Sequence, residues 1–550
     1  MVLDRAVVFD LEARLALKEG VDIVANVVKV TMGPAGRNVV YKPSLGGPTV
    51  TNDGVTVARD VKMENTFIHT GGAIVYEACR QTNTVAGDGT TTAAVLTQAM
   101  NDAAFKAIVA GANPMIIRRG MDPAIVQAEA ALNELAVHID SKRGIAWIAG
   151  MSAHDQAVGD LIADVFERQG AEGAVTVDDG KGMAVEVRYV DGMQIAQGML
   201  SMHFADDDET RREAVLEDCD VLVTDRKVDS LREFLPFLER YVESGRKRLF
   251  MIGQTVSGDV LTTIIANQQR NMLKAICIKA PVFGQRQRWM LEDLAIFTGA
   301  TLVGHETGQP WRDVPLDVLG TADRVRSSLE QTFVVRGHGD GDAIAERVEY
   351  IWMQHGRAKN HFDREKLQER ANNLSGSLAE ILVGAPTEVE RFELRHRIED
   401  AISATRAGLE EGVVPGGGTA LARASLAIEI PESLPADEAA GRRVVRDALR
   451  VPAEVIANNA GHDGPVIVDE ILQRSGHVGF NALSGEYEDL IASGVVDPLK
   501  VTRSALRNAA SAAVMLITSE AVVGDHLSYH RWRDYYRPLL ARKHGFIAID

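Results

Sequence analysis

The run Gly87-Asp88-Gly89-Thr90-Thr91-Thr92 brings together residues suited to holding a phosphate. Glycines let a backbone approach an anion closely, and a helix beginning just after them aims unpaired N–H groups and its positive dipole end at the charge. Three threonines add hydroxyl donors. Asp88 offers the oxygen ligand that Mg²⁺ needs when it bridges phosphates. The same residues would also make a good turn and helix cap. The segment is neither a GxxxxGK[ST] Walker loop nor a GxGxxG dinucleotide fingerprint, which disfavours a conventional P-loop ATPase. A second glycine run, Gly416-Gly417-Gly418, would serve equally to wrap a nucleotide or to let a helix pack closely. Cys79, Cys219 and Cys277 are far apart and lack metal-ligand spacing, so they read as ordinary small side chains in a reducing compartment.

The elements around these residues can be read from their periodicity. Val21, Val24, Ala25 and Val28 share a helical face that Gly33-Pro34 ends. The following stretch, RNVVYKPSLGGPTVTNDG, has two β-branched runs split by proline and glycine, which predicts a hairpin ending in the Asn52-Asp53-Gly54 turn. A long helix is expected from about Thr90 to Ala110. In the middle of the chain, short apolar runs such as Val221-Leu222-Val223 and Leu249-Phe250-Met251-Ile252 alternate with helical segments, an α/β pattern. Ser230 and Glu233 have the spacing of a capping box, followed by Leu231, Leu235, Leu238 and Val242 at near-helical intervals. From about Arg391 the sequence is helix-rich again. No tandem repeat is evident, which argues against a solenoid.

The chain has 550 residues, 46% of them hydrophobic, enough for more than one domain core. Its 77 acidic and 59 basic residues give a net charge of -18, which disfavours a general nucleic-acid or anionic-membrane binder. The first twenty residues are interrupted by charges and do not read as a signal peptide, and no run reaches the roughly 18 apolar residues of a membrane span. A cytoplasmic protein is expected.

Six motifs occur in order: Thr31-Met32-Gly33-Pro34-Ala35-Gly36-Arg37-Asn38-Val39-Val40, Asn52-Asp53-Gly54, Ala86 to Thr92, Ala280-Pro281-Val282-Phe283-Gly284, Asp363 to Arg370, and Glu410 to Gly418. Through them, over about residues 1 to 525, the chain resembles the group I chaperonins, the bacterial and organellar GroEL type. The resemblance implies a multidomain α/β chaperonin fold. Its mostly helical equatorial domain would comprise residues 1–134 and 411–526, its small α+β intermediate domain 135–191 and 379–410, and its α/β apical domain 192–378. Residues 527–550 would form an atypical tail.

What the resemblance implies for function is an ATP hydrolase coupled to protein folding, a homo-oligomer of two stacked seven-subunit rings. A small co-chaperonin lid and unfolded client proteins would be its partners, with neither a specific nucleic acid nor a membrane among them. ATP and Mg²⁺ would be the cofactors, with K⁺ a further candidate. Thr31, Met32, Gly33 and Pro34 would line the nucleotide site, and Asn52, Asp53, Gly54 and Gly87, Asp88, Gly89, Thr90, Thr91 and Thr92 would surround the phosphates. Asp88 would be the metal ligand. Asp400 would orient the attacking water, with Asp53 assigned beside it as catalytic, a division of labour that phosphoryl transfer requires. Gly417, Asn481, Ala482 and Asp497 would line the nucleoside pocket. Client proteins would be captured by Met199, His203, Phe204, Leu235, Leu238, Leu261, Ile265 and Ala266.

The sequence departs from that family's pattern in three places. Asn52 stands where the family usually has lysine, which replaces a positive charge with a neutral amide. Met199, His203 and Ala266 replace two tyrosines and a valine. Residues 531–550 are aromatic and basic rather than rich in glycine and methionine. Asn52 and the tail motivate an alternative reading, a structural or signalling assembly with weak ATPase and little folding activity.

Overall fold

The structure, a computed structural model, describes residues 5–42, 49–51, 53–170, 173–180, 182–205, 213–305, 309–358, 360–525 and 528. Asn52 and the atypical residues 531–550 lie outside them. The chain divides into two compact units: residues 172–384 form one, and residues 1–171 and 385–550 together form the other. The segments expected to make an intermediate domain do not separate as a third unit. Residues 172–191 and 379–384 group with the middle of the chain, and the rest group with its two ends.

The discontinuous unit is helical. The predicted face of Val21, Val24, Ala25 and Val28 belongs to the helix Asp10–Val28, and all four are fully buried. That helix packs on Thr66–Ala86, which in turn packs on Thr90–Val109. The last long helix, Leu499–Thr518, lies against both of these later helices and buries an alanine-rich stripe that permits close approach. Arg5–Phe9 pairs antiparallel with Ala521–Asp525, from Arg5 opposite Asp525 to Phe9 opposite Ala521. The predicted hairpin forms, with Val39 opposite Thr51 and Val40 opposite Val50.

The contiguous unit is built on an eight-stranded mixed sheet. Its parallel part joins Ala214–Val223, Arg248–Gly253 and Lys274–Lys279 through helical crossovers, with Val221 in register with Phe250 and Cys277 with Met251. These strands are buried on both faces, which accounts for their unbroken apolar runs. Helix Leu231–Glu243 begins where the capping box predicted, but the Ser230 side chain makes no capping bond. The Ser230 carbonyl instead accepts from the N–H groups of Glu233 and Phe234. Its fully buried face is Phe234, Phe237, Leu238 and Tyr241, so Leu231, Leu235 and Val242 fall at the margin of the expected stripe. Two large rings decide this rotation: Phe234 and Phe237 both pack edge-on against Trp311, with centroids 5.1 and 5.7 Å away.

Candidate functional site

Two glycines bracket Asp88 and give the loop its shape. Gly87 ends helix Thr66–Ala86 at φ +71° and Gly89 opens helix Thr90–Val109 at φ +85°, both in the left-handed region that side chains with a Cβ rarely occupy. At Gly87 a Cβ would also sit 2.0 Å from the Ser403 Cβ. Gly89 has no side chain to cap the helix, so the first-turn N–H groups of Thr90, Thr91 and Thr92 are left for an anion.

Asp53 takes the opposite part in its own helix. Its carboxylate accepts from the N–H groups of Val55 (3.1 Å) and Thr56 (2.9 Å), capping Gly54–Asp60, and its own N–H donates to Thr51 Oγ1. This turn meets the glycine loop directly. A Cβ on Gly54 would lie 2.6 Å from Thr91 Oγ1 and 2.9 Å from Thr90 Oγ1.

Asp88 accepts from the Gly89 N–H (2.5 Å) and from Ser152 Oγ (2.9 Å). Burial raises its proton affinity, as does the charge of Asp53, while those hydrogen bonds oppose the rise. Asp400 lies on helix Glu388–Glu411. Burial, then the negative charges of Asp53 and Asp88, then Glu399, hold its carboxyl well above the usual carboxylate range. Asp497, on the strand Val496–Pro498, is pushed up to about 7 by burial and then by Asp88. His154 is held down by burial, with Asp88 pulling the other way. The charge of Asp88 thus acts on both Asp400 and Asp497, and that of Asp53 on Asp88 and Asp400, in a poorly hydrated place. Such an arrangement favours a cation.

The apolar side of the site is as well defined. Met32 and Ala482 belong to one cluster with Val95 and Ile456. The turn that carries Met32, Gly33 and Pro34 is closed by Gly36 N–H to Gly33 O (2.9 Å) and Arg37 N–H to Val30 O (2.8 Å). Thr31 is buried there, its hydroxyl donating to Val28 O. Asn459 fixes the turn from the other end of the chain, its Nδ2 donating to the carbonyls of Lys29 and Met32. Gly417 (φ +62°) precedes Gly418, whose Cβ would meet Ala453 N at 2.5 Å, so close helix packing accounts for the last glycine of that run. The Asn481 side chain is occupied within its hairpin, donating to Glu488 Oε1 and accepting from the Leu483 N–H.

Sequence reasoning passed over Ser152, Ser403, Ile456 and Asn459. Each is an unremarkable residue within or beside a helix, and only the folded chain brings Ser152 and Ser403 to the glycine loop and Ile456 and Asn459 to the turn at Met32.

Among the described residues no group of three or more metal-ligating side chains converges. The Asp88 carboxylate, oriented by Ser152, offers the kind of oxygen ligand that Mg²⁺ takes.

In the contiguous unit, the residues expected to capture clients divide by burial. Met199, Phe204 and Leu238 are in the core, exposed by 4%, 0% and 4%. Leu235, Leu261, Ile265 and Ala266 are half-buried, and His203 is exposed. The turn Met202–Phe204 is tied to helix Gly258–Gln269 by Gln268 Nε2, which donates to the carbonyls of His203 and Phe204. Met202 is the large apolar side chain this turn turns outward, and it was not singled out from the sequence.

Comparison with known proteins matches residues 24–526 to the TCP-1/cpn60 chaperonin family. Among solved structures, the chain is similar to the chaperonin gp146 from bacteriophage EL 2 (Pseudomonas aeruginosa), crystallised in the presence of ATP-BeFx. The TM-score is 0.68 at 19% identity, over 94% of this chain and 98% of that one. At this identity the likeness is one of fold. No helix among the described residues is long and apolar enough to cross a membrane.

Proposed function

We propose, from the premise that this chain belongs to the TCP-1/cpn60 chaperonin family, that it is a group I type ATPase subunit whose nucleotide cycle drives the folding of captured proteins. The observation that carries the ATPase part is the loop Gly87–Gly89. It presents Asp88 and an uncapped helix start beside the Asp53-Gly54 turn, while Asp400 stands close enough to be perturbed by both aspartates.

In this reading, the N–H groups and hydroxyls of Thr90, Thr91 and Thr92 hold phosphate oxygens. Asp88 holds Mg²⁺, which when bound supplies charge neutralisation for the transferring phosphoryl group. Ser152 keeps the Asp88 carboxylate oriented. Asp53 fixes its turn through two backbone N–H groups, and its carboxylate keeps lone pairs free to accept further bonds. Asp400, whose raised proton affinity makes it a capable proton acceptor, orients the attacking water. Met32, Ile456 and Ala482 form an apolar wall for the base.

The finer assignments follow the same premise. The three-domain division, stacked rings of seven subunits, a co-chaperonin lid and a cytoplasmic location are part of the proposal. So is client capture by the half-buried and exposed positions Leu235, Leu261, Ile265, Ala266 and His203, joined by Met202.

The test is ATP-dependent refolding of a non-native client by the purified assembly, with nucleotide binding followed across a Mg²⁺ titration. Asp88→Ala is expected to abolish the Mg²⁺-dependent part of ATP binding. Binding unchanged across the titration would remove the metal role from Asp88. ATP hydrolysis without any client refolding would favour a scaffold.

A further inference from the structure

Helix Gly341–Arg357 in the contiguous unit is long for the little it buries. Of its seventeen residues only Ile351 is fully enclosed. On its outer side Trp352 and Met353 are 41% and 44% exposed. Beside them runs an open apolar cleft of about 560 Å³ lined by Ile344, Ala345, Val348, Glu349 and Trp352, with Ser375 at its edge. With Gly341, which also lines the cleft, those helix residues occupy one face of an α-helix over about three turns, from 341 to 352. The Trp352 ring is held by an edge-on contact with His355, centroids 5.2 Å apart, so the cleft wall is already ordered.

The rim of this stripe is acidic. Asp342, Glu346 and Glu349 are all exposed, and among the described residues none of the three is in an ion pair. The nearest basic side chain of the helix, Arg347, is turned the other way: its guanidinium donates to Asp293 Oδ1 and Glu292 Oε2, both at 2.8 Å. An apolar stripe about three turns long, bordered by carboxylates that lack partners, fits an amphipathic helix with basic residues flanking its apolar face. Two copies of this face set against each other would oppose their carboxylates.

We infer that the outer face of helix Gly341–Arg357 is a docking site for a basic amphipathic helix of a separate partner protein. The site is distinct from the positions proposed for client capture and does not depend on that proposal.

The test uses the full-length protein and two fluorescent synthetic helical peptides with the same leucine stripe, one flanked by lysines and the other by glutamates. Fluorescence anisotropy at low salt is expected to show the lysine peptide binding at least about tenfold more tightly. The double variant Glu346→Lys, Glu349→Lys changes only exposed positions and should weaken that peptide at least about tenfold, and Trp352→Ala should weaken it about fivefold. Leu261→Ser with Ile265→Ser, which addresses the client positions instead, should leave the charge-selective binding within about twofold. Equal binding of the two peptides, or undiminished binding to the charge-reversed variant, overturns the inference. So does a chain ending at residue 530 that binds the lysine peptide about tenfold more tightly, since the protein's own basic segment would then be the competitor. A shift of Trp352→Ala to smaller assemblies in sedimentation would assign the face to a second copy and overturn it likewise.

Discussion

The glycine loop around Asp88 and the helix pair Leu231–Glu243 and Gly258–Gln269, the two proposed binding surfaces, are built in different ways. At the loop, backbone conformation does the positioning: left-handed glycines, helix starts and turns set where N–H groups and carboxylates point. At the helix pair, the backbone is regular and everything depends on which side chains the core leaves outside. The loop is therefore sensitive to added atoms and added charge, whereas the helix pair is sensitive to lost apolar area and to any rotation of its buried face.

The largest effect is expected from Gly87→Ala. A Cβ there meets the Ser403 Cβ at 2.0 Å while the backbone is held at φ +71°, and together these should cost roughly 2–4 kcal/mol. Denaturant titration should show the loss, and ATP binding should go with it. Stability and binding at the parent level would mean that the loop relaxes freely and that its geometry is not built in.

Asp400→Ala should separate chemistry from binding. Turnover is expected to fall about 100-fold or more, with ATP affinity changed less than about threefold. Large and equal losses of both would make Asp400 a structural anchor instead.

Within helix Leu231–Glu243, two neighbouring leucines should behave oppositely. Leu238→Ser places a hydroxyl in the core and should destabilise by roughly 2–4 kcal/mol. Leu235→Ser should leave the unfolding midpoint nearly unchanged while weakening capture of an unfolded client about threefold. Similar destabilisation by both would erase the distinction between core and capture positions.

The smallest effect concerns pH. The Asp497 carboxyl titrates near 7 in the folded chain and near its ordinary 3.8 when unfolded. Between these values the folded state holds the extra proton, so its contribution to stability is full below about 4 and is lost as pH rises through 7. Asp497→Asn should therefore flatten the decline in stability of the nucleotide-free protein over that window. An identical slope in the variant would show that Asp497 is not the group responsible.

This contrast also governs what the sequence alone could disclose. The helix Asp10–Val28, the hairpin of Val39–Tyr41 with Thr49–Thr51 and the start of Thr90–Val109 follow from local patterns and appear where expected. The loop at Asp88 was legible because its chemistry lies in consecutive residues. Ser152 and Asn459 were not, because a lone serine or asparagine in a helix has no local signature and acquires its role only through contacts made across 64 and 430 residues. The near-helical spacing of Leu231, Leu235, Leu238 and Val242 leaves open which face is buried, and the larger side chains Phe234 and Phe237, packed on Trp311, decide it. The acidic, apolar outer face of Gly341–Arg357 was not apparent either, since periodicity shows that a helix has two faces and leaves unsaid whether the second is covered.

The pairing of Arg5–Phe9 with Ala521–Asp525 has a consequence for the birth of the protein. As the chain leaves the ribosome, residues 172–384 emerge as an uninterrupted stretch and hold all the strands of their sheet, so they can fold while synthesis continues. The helical unit must wait, because its first strand lacks a hydrogen-bonding neighbour until Ala521–Asp525 has been made. Throughout that interval the alanine-rich seam that Leu499–Thr518 will cover stays open to water. A nascent chaperonin subunit is thus, for most of its own translation, the kind of unfinished protein that it is proposed to rescue.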